Sequence, residues 1–175
     1  MSAIMTPRIT IIVLACLLGL AAGRAEPVSR REALAAIAVL ERDVTGPGAE
    51  RAAETITRFG KESDAVLIAI GEETLPWMQG HEDAPEGEAE VRAMLAAAYF
   101  AGDIKSQLAR HRAEDDPYSG WLAAIRAYGQ IRRKEPDVVI PEIEQLIEKE
   151  QDGSLKQEAD DLRRQERRER RNNMI

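Results

Sequence analysis

Apolar residues recur along most of this chain at spacings of three and four, the period of a helix with one buried face. The strongest stretch is residues 88–103, EAEVRAMLAAAYFAGD, which carries no charge between Ala93 and Ala101. A helix apolar on every side must be surrounded by other elements. Its alanines let neighbours come close, and Met94, Leu95, Tyr99 and Phe100 are expected to fill the gaps between them. Gly102 is expected to end this central helix as a left-handed cap, and Asp103 to open a separate short helix reaching Arg112, with His111 on its inner side.

The remaining elements group round that centre. Ser29 and Glu32 stand at capping-box spacing before a helix in which Leu34, Ile37 and Leu40 share a face. Residues 43–48, DVTGPG, are turn chemistry. A second helix over residues 49–59 has Ala52, Ala53, Ile56 and Phe59 as its stripe and Glu50, Arg51, Glu54 and Arg58 toward water. Residues 65–70, AVLIAI, fit a buried strand by length and branching, but no partner strand is in sight, so they are read as a short buried helix. Leu75, Trp77 and Met78 follow in a turn limited by Pro76 and are expected to pack on the core. Residues 79–87 are the clearest loop.

Beyond the centre, the pattern predicts a helix over residues 118–134, with Trp121, Leu122, Ile125, Tyr128 and Ile131 inward. Another covers residues 137–150, with Pro141 in its first turn. In residues 155–171 only Leu155, Ala159 and Leu162 form a thin apolar stripe. The end, RRQERRERRNN, is expected to extend into solvent or fray.

Together these expectations define an all-α protein: six to eight antiparallel helices in a short α-α solenoid or an irregular helical bundle. Residues 1–25 read as a signal peptide, residues 26–162 as a single helical domain, and residues 163–175 as a charged C-terminal tail. The stretch Leu95-Ala96-Ala97-Ala98-Tyr99-Phe100-Ala101-Gly102-Asp103 resembles the helix-to-turn passage of a tetratricopeptide repeat. Trp121, Ile125 and Tyr128 sit at spacings similar to those of that repeat's first helix. With helix pairs joined by short Gly/Asp turns, the resemblance to α-solenoids of the tetratricopeptide or HEAT type is architectural. It implies stacked helix pairs and no functional residue.

Composition narrows the function. Arg8 precedes an apolar run from Ile9 to Ala22, and Gly23-Arg24-Ala25 supplies small residues before Glu26-Pro27. These are the three parts of a secretory signal. The run is short for a membrane span, which needs about 20 residues. Cleavage near Ala25 and a periplasmic or secreted mature protein are therefore expected, the alternative being a membrane anchor formed by this segment. Cys16, the single cysteine, lies inside the segment, and Leu17, Leu18 and Leu20 continue the apolar run past it, which argues against lipidation. The formal charge is −7, and the body is more acidic still, because Arg8 and Arg24 leave with the signal and no acid does. That balance argues against nucleic acid as a partner and against broad adhesion to anionic lipid. Another protein is the expected partner, without stable membrane insertion once the signal is removed.

No catalytic residue, cofactor or metal is expected. His81 and Glu82 lie in the loop with Asp83 and Glu86, and His111 is the other histidine, too few nitrogen ligands for a metal centre. No Ser/His/Asp or Cys/His set can be assembled, and Gly46-Pro47-Gly48 is a turn, not a phosphate loop. The enzyme alternative is a small envelope hydrolase acting through Glu72 or Glu73 beside Trp77, a carboxylate next to an aromatic platform. Against it, an aromatic content of 4% leaves little to line a sugar cleft. Arg163, Arg164, Arg167, Arg168, Arg170 and Arg171 form a basic run and are the candidate partner contact. Glu158, Asp160, Asp161, Glu166 and Glu169 interleave with it and can pair with it along a helix. The expected function is protein–protein binding or scaffolding in the cell envelope.

Overall fold

The computed structural model describes residues 26–79 and 86–172; residues 1–25, expected to be a signal peptide, lie outside them, as do His81, Glu82 and Asp83. Among the described residues the chain forms six α-helices and no strand. They are α1 Arg30–Arg42, α2 Ala49–Glu62, α3 Glu86–Arg110, α4 Pro117–Lys134, α5 Pro141–Asp152 and α6 Ser154–Asn172, with a 3-10 turn at Pro76–Met78. They pack as three successive pairs, α1/α2, α3/α4 and α5/α6. α3 touches both members of the first pair, and α4 touches both members of the last.

Local chemistry sets several ends as expected. The Ser29 hydroxyl accepts from the Glu32 amide at 3.2 Å, and the Glu32 carboxylate accepts from the Ser29 amide at 2.8 Å, a reciprocal capping box. Pro117 and Pro141 open α4 and α5, where a missing N–H leaves no bond unmade. Gly153 takes a left-handed φ of 82° after α5.

Gly102 does not end a helix. α3 runs through it without a break to Arg110, so the two helices expected on either side are one. The reason is tertiary. A Cβ on Gly102 would stand 2.3 Å from the Ser119 carbonyl oxygen and 2.6 Å from the Ala123 Cβ. One on Gly120 would stand 2.5 Å from the Tyr99 ring. Two glycines thus let α3 and α4 run antiparallel in direct backbone contact, with Ala98, Ala101, Ala124 and Ala127 buried as well. The left-handed residue after α3 is His111, at φ 52° and exposed rather than inward. Arg112 N donates to Gln107 O at 3.2 Å and His111 N to Leu108 O at 3.4 Å, the paired bonds of a Schellman end.

Nor is α3 apolar on every side. Leu95, Tyr99 and Ile104 are fully buried, but Met94 and Phe100 are half-buried and Ala93 is exposed. Arg92 is buried within this stretch. Its guanidinium binds Glu88 at 2.7 Å, Glu142 of α5 at 3.3 Å and the Trp77 carbonyl. One cation therefore ties the 3-10 turn and α5 to the central helix.

Residues 66–70 take no regular secondary structure, neither helical nor paired with a strand. Side chains take the place of the missing strand. Leu67 N donates to Gln107 Oε1 at 2.9 Å, and Gln107 Nε2 donates to Leu67 O at 2.7 Å. Ala69 N donates to Asp115 Oδ1 at 2.8 Å. Once α3 and the loop after it supply these partners, the backbone groups of this short run are satisfied without a helix or a strand. Farther along, Trp121 Nε1 donates to Thr74 O at 2.9 Å. Met78, expected in the core, is exposed.

The end of the chain does not fray within the described residues: α6 stays helical to Asn172. Its arginines find acids one turn away and on the body, as set out below.

Candidate functional site

The helices leave a groove where α2 and α3 diverge. Ala53 and Thr57 of α2 and Ala93, Met94 and Ala97 of α3 line it, and it encloses about 730 Å³ open to solvent. Small side chains make the depression and Met94 gives it an adaptable apolar floor. Its rim is charged in order. Glu50 and Glu54 from the first half of α2 and Glu90 from α3 lie on it, and Arg58 and Lys61 follow in the last turns of α2. Arg58 is engaged by Glu62 at 3.6 Å and by the Glu26 carbonyl at 3.0 Å. Glu50, Glu54, Glu90 and Lys61 make no ion pair among the described residues. Sequence reasoning assigned Glu50 and Glu54 to water and missed the groove, because a depression between helices depends on how far apart they pack.

The candidate basic run is divided by the fold. Arg163 pairs with Asp160 and stands 4.0 Å from Asp116. Arg164 pairs with Asp161 at 2.6 Å, and Arg167 pairs with Glu114 of the loop after α3. Arg168 and Arg171 are exposed, and the side chain of Arg170 lies outside the described residues. Half of the run is therefore engaged within the molecule. Glu72 and Glu73 are exposed in the turn before the 3-10 helix. Trp77 is fully buried, its Nε1 donating to Arg92 O at 3.3 Å, so it is no platform beside them. The side chain of Glu86, like His81, Glu82 and Asp83, lies outside the described residues.

A second feature is a buried polar cluster at the α3/α4 turn. Asp103 Oδ1 accepts from Gln107 Nε2 and from Asp116 N, each at 2.8 Å. Asp116 Oδ2 accepts from Ser106 Oγ at 2.6 Å and Ser119 Oγ at 2.8 Å, and Arg110 lies 3.1 Å away. Burial pushes the Asp116 carboxyl upward, but the two hydroxyls and Arg110 outweigh it and hold the group below the usual range. Asp103 and Asp115 go the other way. Burial raises both, Asp103 to about 6 and Asp115 to about 8, the latter helped by the neighbouring Asp103 charge. The Tyr99 hydroxyl is buried without a partner and is raised by burial and by Asp115. The sequence reading used Asp103 to open a helix, but the capping residue here is Asp116, at the start of α4.

No group of three His, Cys, Asp or Glu side chains among the described residues is placed to hold a metal ion. No described helix is long and apolar enough to cross a membrane. The fold and groove define a class, an all-α helical bundle built of helix pairs with an open interhelical groove. No family model, no curated protein and no solved structure matches the chain.

Proposed function

We propose that this is an exported, non-catalytic protein of the cell envelope that binds a helix of another protein in the α2/α3 groove. The observation that carries the reading is the build of the groove: an apolar floor left open between two helices, with unpaired acids at one end of its rim and Lys61 at the other. An amphipathic helix fills such a groove with side chains at i, i+3, i+4 and i+7. Charge complementarity places that helix's basic residues toward Glu50, Glu54 and Glu90, and an acidic residue toward Lys61. Arg168 and Arg171, exposed on α6, add a steering field for an acidic surface on the same partner. Export is supported by the tripartite pattern of residues 1–25, and the mature chain would begin near Glu26, whose carbonyl Arg58 holds beside the groove.

A photo-crosslinking residue at Thr57 or at Glu90, with Arg133 on α4 as the control position, tests this in envelope extracts. The crosslinked peptides are identified by mass spectrometry. The reading expects one foreign peptide at both groove positions, with helical periodicity and basic residues near Glu90. A crosslink to residues 1–25 of this chain, to a second copy of it, or to unrelated peptides at the two positions would overturn it.

A further inference from the structure

We propose that Asp103 and Asp115 form a proton-dependent latch that holds the irregular segment 66–70 against the α3/α4 hairpin. The segment's two side-chain clamps converge on this pair. Asp115 Oδ1 accepts from Ala69 N at 2.8 Å. Gln107 holds Leu67 by both its N–H and its carbonyl, and the same Nε2 donates to Asp103 Oδ1.

The Oδ1 atoms are thus occupied, while both Oδ2 atoms are buried and accept from no N–H or hydroxyl. Asp103 also accepts from the amide of Asp116, the residue next to Asp115, so the two carboxyls are neighbours, and no cation among the described residues is paired with either. Two buried carboxylates offer acceptors only, and a proton on one of them supplies a donor to the other. That proton serves as the donor both Oδ2 atoms otherwise lack.

Among the described residues no free cation stands beside the pair to take the proton's place. From α3 the pair faces the Tyr99 hydroxyl and Gln107, while Arg110 is engaged by Asp116. The loop adds the negative charges of Asp116 and Glu114, and α4 contributes Ser119, which also donates to Asp116. From α6, Glu166, Arg163 and Arg167 border the cleft of about 330 Å³ that Asp115 lines; Arg163 engages Asp160 and Asp116, and Arg167 engages Glu114. The segment itself supplies backbone amides at this point. When the proton leaves, two carboxylates face each other out of water, an arrangement strongly disfavoured. Asp115 lies in the loop rather than in a helix, so it is the member free to withdraw, and its withdrawal releases Ala69.

The direction with pH follows. The latched state keeps a proton that the released state, with its carboxyls near the ordinary value of about 4, gives up. The latch is therefore tightest below about pH 4, loosens as pH rises, and reaches its weakest above about pH 8. Amide exchange of Leu67 and Ala69 in the full-length protein, corrected for intrinsic rate, reads this between pH 5 and 9. Protection should fall by up to tenfold per pH unit and level off above about pH 8, as one released proton requires. Core amides such as that of Ile131 should keep theirs. Asp115→Asn supplies an N–H in place of the proton, and its two amides should show no such slope. A flat wild type, a slope shared by every amide, or an Asp115→Asn that keeps the wild-type slope would overturn the proposal. Should Asp115→Asn fail to fold, Asp103→Asn places the donor on the other member of the pair and carries the same expectation.

Discussion

Gly102 and Gly120 show how one missing carbon sets an interface. In an exposed helix interior, alanine is favoured over glycine by about 1 kcal/mol. At Gly102 the added Cβ would meet a carbonyl oxygen of the α4 backbone, which has no rotamer by which to move away. Gly102→Ala is therefore expected to destabilise by about 3 kcal/mol through overpacking. Gly129, in α4, has nothing nearer than 4.0 Å, so Gly129→Ala should stabilise by about 0.5–1 kcal/mol. Denaturant melts of the pair check both signs, and a Gly102→Ala as stable as wild type would refute the close crossing. Arg92 is the other residue whose environment reverses its usual place. Arg92→Leu leaves the Trp77 carbonyl without its donor and takes the counter-charge from Glu88 and Glu142. A loss of about 2–4 kcal/mol is expected in the same melts.

Among the elements, α6 departs furthest from what its composition suggests. Leu155, Ala159 and Leu162 form its inward stripe, and Glu166 continues it one turn on, beside Asp115. Arg163 and Arg164 pair with acids at i−3, and Arg167 pairs with Glu114. Truncation after Arg164 removes the Arg167–Glu114 pair, an exposed pair worth at most about 1 kcal/mol. The melting temperature should fall by no more than about 2–4 °C. A drop many times larger would show that the last turns of α6 carry core packing. The connector between α2 and α3 is held by a different device. Gln107 grips both backbone groups of Leu67, and Gln130 does the same for the first hairpin, accepting from Val44 N and donating to Glu41 O, each at 2.9 Å. Both glutamines lie on helices whose periodicity is legible, yet nothing in that periodicity says which distant backbone an amide will meet.

For the whole molecule, fold class and helix order were readable before any coordinate. Spacings of three and four placed α1, α2, α4, α5 and α6, and the Ser29 capping box located the first start. These signals are local: a cap acts within one turn, and a stripe repeats every three or four residues. The sequence also carried the expectation of export and of a protein partner, which the crosslinking experiment addresses. Tertiary structure decided the rest. It carried α3 through Gly102, because a second backbone needed the space. It kept residues 66–70 out of a helix, because Gln107 and Asp115 were there to pair with them. It also set α2 and α3 apart enough to leave a groove, and brought Asp103 against Asp115. Each of these rests on contacts between residues far apart in the chain, such as Ala69 and Asp115, 46 positions from each other. Local preferences of about 1 kcal/mol per residue yield to such contacts when a buried backbone group or an excluded volume is at stake.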